Sequence, residues 1–259
     1  MRIGILKTDS VRPEFQPQHG DYPAMFRAML MSGAEDIPLE IRDYDVQRGE
    51  YPARIDECDA YLITGSRESV YDDQPWIHRL AEFVRQLDAA RHKVVGICFG
   101  HQLIAHVLGG ETRAAAGGWA VGLQQTCVLE PQEWMLPYRE RFGLLSSHKD
   151  QVVRLPDRAR RFASTEFCPN SGFTIGDHIL TFQGHPEFSK EYSRALMDFR
   201  RELLGEEVYN AGVESLQQSS HQPMIGHWII NFMAAGVQSP ATLRGQSDSF
   251  DDDSASDVP

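Results

Sequence analysis

The sequence predicts an α/β fold: a mostly parallel central sheet flanked by helices, with a small antiparallel portion. Three observations predict it. Short apolar runs, each the length of a buried strand, alternate with segments of helical period. Glycine-containing turns separate many of them. From about Glu111 to Leu155 the alternation gives way to segments such as "GWAVGLQQTCVLE", which read as antiparallel strands and turns.

The elements follow in order. "RIGILK" is an opening strand, and "YPAMFRAMLMSG" is a helix with apolar residues three and four apart, stopped at Gly33. "PLEIRDYDV" alternates as a strand does, and "DAYLITGS" is a buried strand ending in a Gly-Ser turn. "PWIHRLAEFVRQLDAARH" is amphipathic, with Pro75 suited to a first helical turn. "KVVGIC" is a strand, and "FGHQLIAHVLGG" is a helix closed by Gly109 and Gly110. "HILTFQGHPEF" is a strand running into a loop. "SKEYSRALMDFRRELLG" is one helix with Ser189 as its N-cap. The expected organisation is a main domain over 1–205, a helical extension over 206–238 and an acidic, disordered tail over 239–259.

Composition excludes several classes of function. The formal net charge is −12, and Asp248, Asp251, Asp252, Asp253 and Asp257 concentrate acid in the tail. Such a surface has no electrostatic footprint for nucleic acid or for an anionic membrane. No apolar run has the length of a membrane span, and "MRIGILKTDS" lacks the features of a signal peptide. Cys58, Cys98, Cys127 and Cys168 are scattered without the paired spacing of a disulfide framework or a zinc site. The expected compartment is the reducing cytoplasm.

The segment "VVGICFGHQ" carries the chemistry. A strand that turns at once into a helix forces strained backbone on the residue at the bend, and side chains two positions to either side would collide. Gly96 and Gly100 occupy those positions around Cys98. A helix starting after Cys98 directs its free N–H groups and partial positive charge at the sulfur, which favours thiolate and can receive an oxyanion. A buried core cysteine at a strand end is the competing reading. A thiolate nucleophile needs a base that is itself oriented by an acid. Of ten histidines, His185 stands out, because "QGHPEF" follows an apolar strand and places it where functional loops gather. Glu187, two residues on in extended chain, projects to the same side. A loop histidine followed by a helix-initiating glutamate is the alternative for this pair. His19, His78, His92, His106 and His178 carry no signal above packing or solvation. His101 reads as a local packing or capping residue.

"GICFGHQ" followed by "GHPE" resembles the class I (triad) glutamine amidotransferases, whose Cys, His and Glu occur in this chain order. "LITGSRESVYDDQPWI", "GLLSSHKDQV" and "LGGETRAAAGGWAVG" are similar to the stand-alone, GMP-synthase-like branch. The resemblance spans roughly 1–205 and implies a flavodoxin-like fold. It makes Cys98 the nucleophile, His185 the base and Glu187 its partner. The N–H of Phe99 and the Gly65-Ser66 turn become the oxyanion hole. Gln102 and the Ser147-His148 backbone hold the substrate's amino-acid end. The chain departs from many relatives by having Thr-Gly-Ser-Arg where they have Gly-Gly-Pro.

The implied reaction is hydrolysis of a γ-carboxamide through a γ-glutamyl thioester, without metal or organic cofactor. The substrate is glutamine or another small γ-glutamyl compound. The preferred expectation is a glutaminase that passes ammonia to a separate synthase, although the lack of a synthetase domain or P-loop in this sequence slightly favours the runner-up. The runner-up is a free-standing γ-glutamyl hydrolase or peptidase, and the third reading is a non-catalytic regulatory module. Trp119 and Trp134 read either as a wall beside the leaving group or as ordinary strand packing.

Overall fold

A computed structural model describes residues 1–235. The expected tail therefore lies outside the described residues.

Strand β1 (Arg2–Lys7) lies in parallel between β2 (Glu40–Asp45) and β3 (Ala60–Ile63). β3 pairs in parallel with β4 (Lys93–Ile97), and β4 with β11 (Ile179–Phe182). The sheet then continues antiparallel through β10 (Gly172–Ile175), β9 (Ala159–Ser164), β6 (Ala120–Val128) and β7 (Arg141–His148), giving nine strands in the order β2-β1-β3-β4-β11-β10-β9-β6-β7. β5 (Glu111–Ala114) and β8 (Asp150–Arg154) form a separate antiparallel pair. The change of pattern after Glu111 is this antiparallel region. β3 and β11 are buried at every position, as parallel strands covered on both faces must be.

Two hydrophobic layers cover the parallel half. On one face lie α3 (Pro75–Ala89) and α4 (Phe99–Val107). Ile77, Leu80, Ala81, Val84 and Leu87 recur at helical spacing in α3 and are all buried. Truncating one of them, as in Leu80→Ala, costs about 2–5 kcal/mol through lost transfer energy and the cavity left behind. On the other face lie α2 (Tyr22–Gly33) and α8 (Gln222–Ala234). Ile225, Trp228, Ile229 and Met233 of α8 share one cluster with Ile3 and Ile5 of β1. The helical segment after residue 206 is thus not an appendage, because α8 helps to close the central core. Gly33 does end α2, but for a reason the sequence did not suggest. A Cβ there would sit 2.4 Å from the carbonyl carbon of Gly226, so the glycine permits the close approach of α8.

The short helix α1 (Gln16–His19) precedes α2. The segment expected as one helix after Ser189 is two, α5 (Lys190–Phe199) and α6 (Arg201–Leu204), broken at Arg200. Ser189 is the N-cap, its hydroxyl accepting from the Tyr192 amide at 3.1 Å. α7 (Glu206–Ser215) then packs on β6, where the Leu123 amide donates to Ser215 Oγ. Among the described residues, no helix is long and apolar enough to cross a membrane.

The carboxyl ends of β1, β3, β4 and β11 lie side by side along one edge of the parallel sheet. The chain order reverses between β1 and β3, the place where open α/β sheets form crevices.

Candidate active site

Cys98 is the residue between β4 and α4, with φ 50° and ψ −98°. Positive φ in a non-glycine residue is costly and needs support from its surroundings. The Cys98 amide donates to Phe182 O at 2.9 Å, and Cys98 O accepts the first intrahelical bond from the Gln102 amide at 3.0 Å. The two glycines permit the bend. A Cβ on Gly96 would lie 2.7 Å from the Gly100 carbonyl, and one on Gly100 would lie 2.6 Å from Ile63 O. The amides of Phe99, Gly100 and His101 precede the first intrahelical bond, so they have no acceptor within the helix and point back toward the bend.

His185 follows β11 and is pinned by its own backbone, whose amide donates to Leu145 O at 2.8 Å. Its ring stacks on Phe188 with centroids 3.9 Å apart. Nδ1–H donates to Glu187 Oε1 at 2.7 Å, and the ring lines the same cavity as Cys98. The Glu187 side chain is fully buried, and its Oε2 has no partner among the described residues. The carboxylate charge is therefore directed at one imidazole. Burial opposes protonation of His185, but the Glu187 carboxylate and the Cys98 sulfur outweigh it and raise the ring well above its ordinary value.

Gly65 lies two residues past the end of β3, over both groups. A Cβ there would be 2.9 Å from His185 Cε1 and 3.6 Å from the Cys98 Cβ. The turn is held to the end of β1 by Thr8, whose hydroxyl donates to Gly65 O at 2.8 Å. Asp9, nearly buried, accepts from the Arg67 amide at 3.0 Å and takes the Arg67 guanidinium in a fork at 2.9 and 2.8 Å. Arg67 is the residue that follows Gly65-Ser66 in this turn. An ion pair to Asp9 anchors this turn. Asp9 carried no signal in the sequence, because its partner lies 58 residues away.

Two adjoining cavities meet at Cys98, sharing it with Ser66, Arg67, Ser147 and Arg200. One is lined by Gln102, His148, Asp150 and Trp119. Gln102 Nε2 donates to Asp150 O at 2.7 Å and to Gln183 Oε1 at 3.1 Å. His148 Nδ1–H donates to Asp150 O at 3.0 Å, and burial drives this ring down to about 4, so it is neutral. Ser147 Oγ accepts from Arg200 at 2.7 Å. The other cavity opens on the His185 side, toward Tyr22, Phe188, Tyr192 and Phe199.

The structure thus brings Cys98, His185, Glu187, Gly65, Ser66, Phe99, Gln102, Ser147 and His148 to one edge of the sheet. Sequence reasoning missed Gln183 as well as Asp9. Gln183 directly follows β11, and its amide lies 3.5 Å from the Cys98 sulfur. His101 is a core residue: it is fully buried, bonded to Thr181 at 2.9 Å and pushed down to about 3 by burial. Trp119 lines the first cavity, whereas Trp134 packs edge-on against Phe162, Trp228 and Phe232 in the core. Among the described residues, no group of three His, Cys, Asp or Glu side chains is arranged to hold a metal ion.

A cysteine at a strand–helix bend thus lies beside a buried His–carboxylate pair at one edge of an open α/β sheet. The chain belongs to the class I glutamine amidotransferase family, whose model matches residues 26–201. It is 35% identical over 158 residues to gamma-glutamyl peptidase 3 of Arabidopsis thaliana, covering 58% of this chain and 64% of that protein. It is 33% identical over 217 residues to a glutamine amidotransferase-like protein of Schizosaccharomyces pombe, covering 80% and 86%. A glutamine amidotransferase from Thermotoga maritima has the same fold, with a TM-score of 0.71 over 92% of this chain and 99% of that one, at 17% identity.

Proposed function

We propose that the protein hydrolyses γ-glutamyl amide bonds through a thioester on Cys98. The Cys98 thiolate attacks the γ-carbonyl carbon. The amide of Phe99 and the Gly65-Ser66 turn receive the oxyanion, each such donor contributing about 2.7–4 kcal/mol in comparable enzymes. As the C–N bond breaks, the His185 imidazolium gives its proton to the departing nitrogen. His185 then takes a proton from water, whose oxygen attacks the thioester, releasing glutamate and restoring the sulfur. Glu187 holds Nδ1–H and stabilises the imidazolium in both half-reactions.

The glutamyl end fits the cavity of Gln102, Ser147 and His148. Arg67, Lys149 and Arg200 there face Glu68 and Asp150, a mixture of charges suited to a zwitterion. With both Nε2 hydrogens committed, Gln102 keeps Oε1 for the substrate ammonium.

The observation that carries this reading is the placement of Cys98 at the junction of two cavities, with His185 lining only one of them. The likeness to a gamma-glutamyl peptidase points the same way. Together they favour the free-standing hydrolase over the glutaminase that supplies a synthase.

The test is kcat/KM for free glutamine against a panel of γ-glutamyl amines and dipeptides, with purified protein and nothing added. Fast cleavage of a γ-glutamyl dipeptide supports the reading. A larger kcat/KM for glutamine than for every γ-glutamyl compound in the panel overturns it in favour of the glutaminase.

A further inference from the structure

We infer that the second cavity is a subsite for the leaving group, shaped for an amine that carries a carboxylate: a free amino acid, with preference for an apolar or aromatic side chain. The inference rests on the proposed γ-glutamyl hydrolysis and specifies which amines leave.

Position comes first. This cavity adjoins the glutamyl cavity across Cys98 and is the one lined by His185, the group that protonates the departing nitrogen. Whatever is attached to that nitrogen therefore projects into it. Its volume is about 90 Å³, more than a molecule the size of ammonia needs.

Charge comes second. The protein carries a net charge of −12, yet Arg12, Arg67 and Arg200 line this cavity against a single acid, Asp9. Asp9 is consumed by Arg67. Arg12 is shared with the exposed Glu14 at 2.7 Å. Arg200 donates to the neutral Ser147 hydroxyl, lies 5.3 Å from the Trp119 ring and meets no carboxylate among the described residues. A guanidinium presented this way takes a planar carboxylate in a two-point contact.

The walls come third. Phe188, Tyr192 and Phe199 form an aromatic lining, and Phe199 is exposed enough to meet a ligand. Arg12 lies 3.9 Å over the Phe199 ring, so cation and aromatic surface are presented together. An amine with an apolar side chain and a carboxylate matches both, whereas ammonia uses neither.

The experiment compares two substrates that differ only in that carboxylate, γ-glutamyl-phenylalanine and γ-glutamyl-phenethylamide, with glutamine as the internal reference. The wild-type protein is expected to favour the first over the second by about ten- to a hundredfold in kcat/KM, the range of a charge-assisted hydrogen bond. Arg12→Gln should collapse that ratio while changing glutamine hydrolysis far less, and Phe199→Ala should lower both amides relative to glutamine. A wild-type ratio near one overturns the inference. So does a loss in Arg12→Gln that is as large for glutamine as for γ-glutamyl-phenylalanine, since that arginine then serves the glutamyl end. Acid quenching of the reaction separates the two levels. A γ-glutamyl adduct on Cys98 together with a ratio near one overturns the leaving-group subsite alone. No adduct with any γ-glutamyl compound overturns the hydrolytic reading as well.

Discussion

Strand β11 has a buried histidine–carboxylate pair at each end. At its start, His178 Nε2 meets Asp88 Oδ1 at 2.9 Å; just past its finish, His185 Nδ1 meets Glu187 Oε1 at 2.7 Å. Both rings are almost sealed from solvent. They differ in what surrounds them. Asp88 also binds Arg158 at 2.7 Å, so its charge is shared between two partners. Among the described residues Glu187 bonds His185 alone, and His185 shares a cavity with Cys98 at the carboxyl edge of the sheet. A buried histidine–acid pair is thus an element of structure until a nucleophile and a space for substrate are placed beside it.

The largest test of this comparison is Cys98→Ala. It should abolish γ-glutamyl hydrolysis with unchanged circular dichroism, and a glutamine-like diazo-ketone should label Cys98 alone. Turnover retained in the variant would place the chemistry elsewhere. Next, His185→Ala should lower kcat by about 10²–10⁴-fold, the usual loss of a general base. His178→Ala should leave kcat within about twofold and cost about 1–3 kcal/mol of stability in denaturant melts, the cost of orphaning a buried partner. Equal kcat losses at the two histidines would erase the distinction. His148→Ala should also be much milder than His185→Ala, because its ring is turned to Asp150 O.

Asp9→Asn sharpens the contrast from the side of the oxyanion turn. It weakens the fork to Arg67 and should lower kcat by about ten- to a hundredfold with a smaller change in KM, since small misplacements near reacting atoms have effects of this order. An unchanged kcat would show that Thr8 holds Gly65 unaided.

The smallest effect is in pH. His185 is raised in the folded state, so its interaction with Glu187 contributes stability that is fully present below the unfolded-state value of ~6.5 and is lost as pH rises through about 10. The difference in Tm between wild type and Glu187→Gln should shrink across that window. Asp88 behaves oppositely. Burial opposes its ionisation, but Arg158 and His178 hold it below the usual carboxylate range. Its contribution is present above ~3.9 and is lost as pH falls through the depressed value, so the Tm difference between wild type and Asp88→Asn should shrink in acid. A Tm difference that grows in either direction would reverse the assigned charge states.

The sequence by itself determined what is local. Alternating strands and helices, the glycines around Cys98 and the His-x-Glu spacing are all set within a few residues, where backbone sterics and period leave few options. Ser189 as a cap belongs here too, since its partner is three residues away. Tertiary structure alone decided what depends on distant partners. Asp9 meets Arg67, Gln183 meets Cys98, and Gly33 admits Gly226, each across a gap that no periodicity spans. Trp119 and Trp134 looked alike in sequence, and packing sent one to the cavity and the other to the core. The two histidines of β11 show the same limit. Only the folded arrangement puts Cys98 beside one pair and Arg158 beside the other, because burial and neighbouring charge, not residue type, decide what an imidazole does.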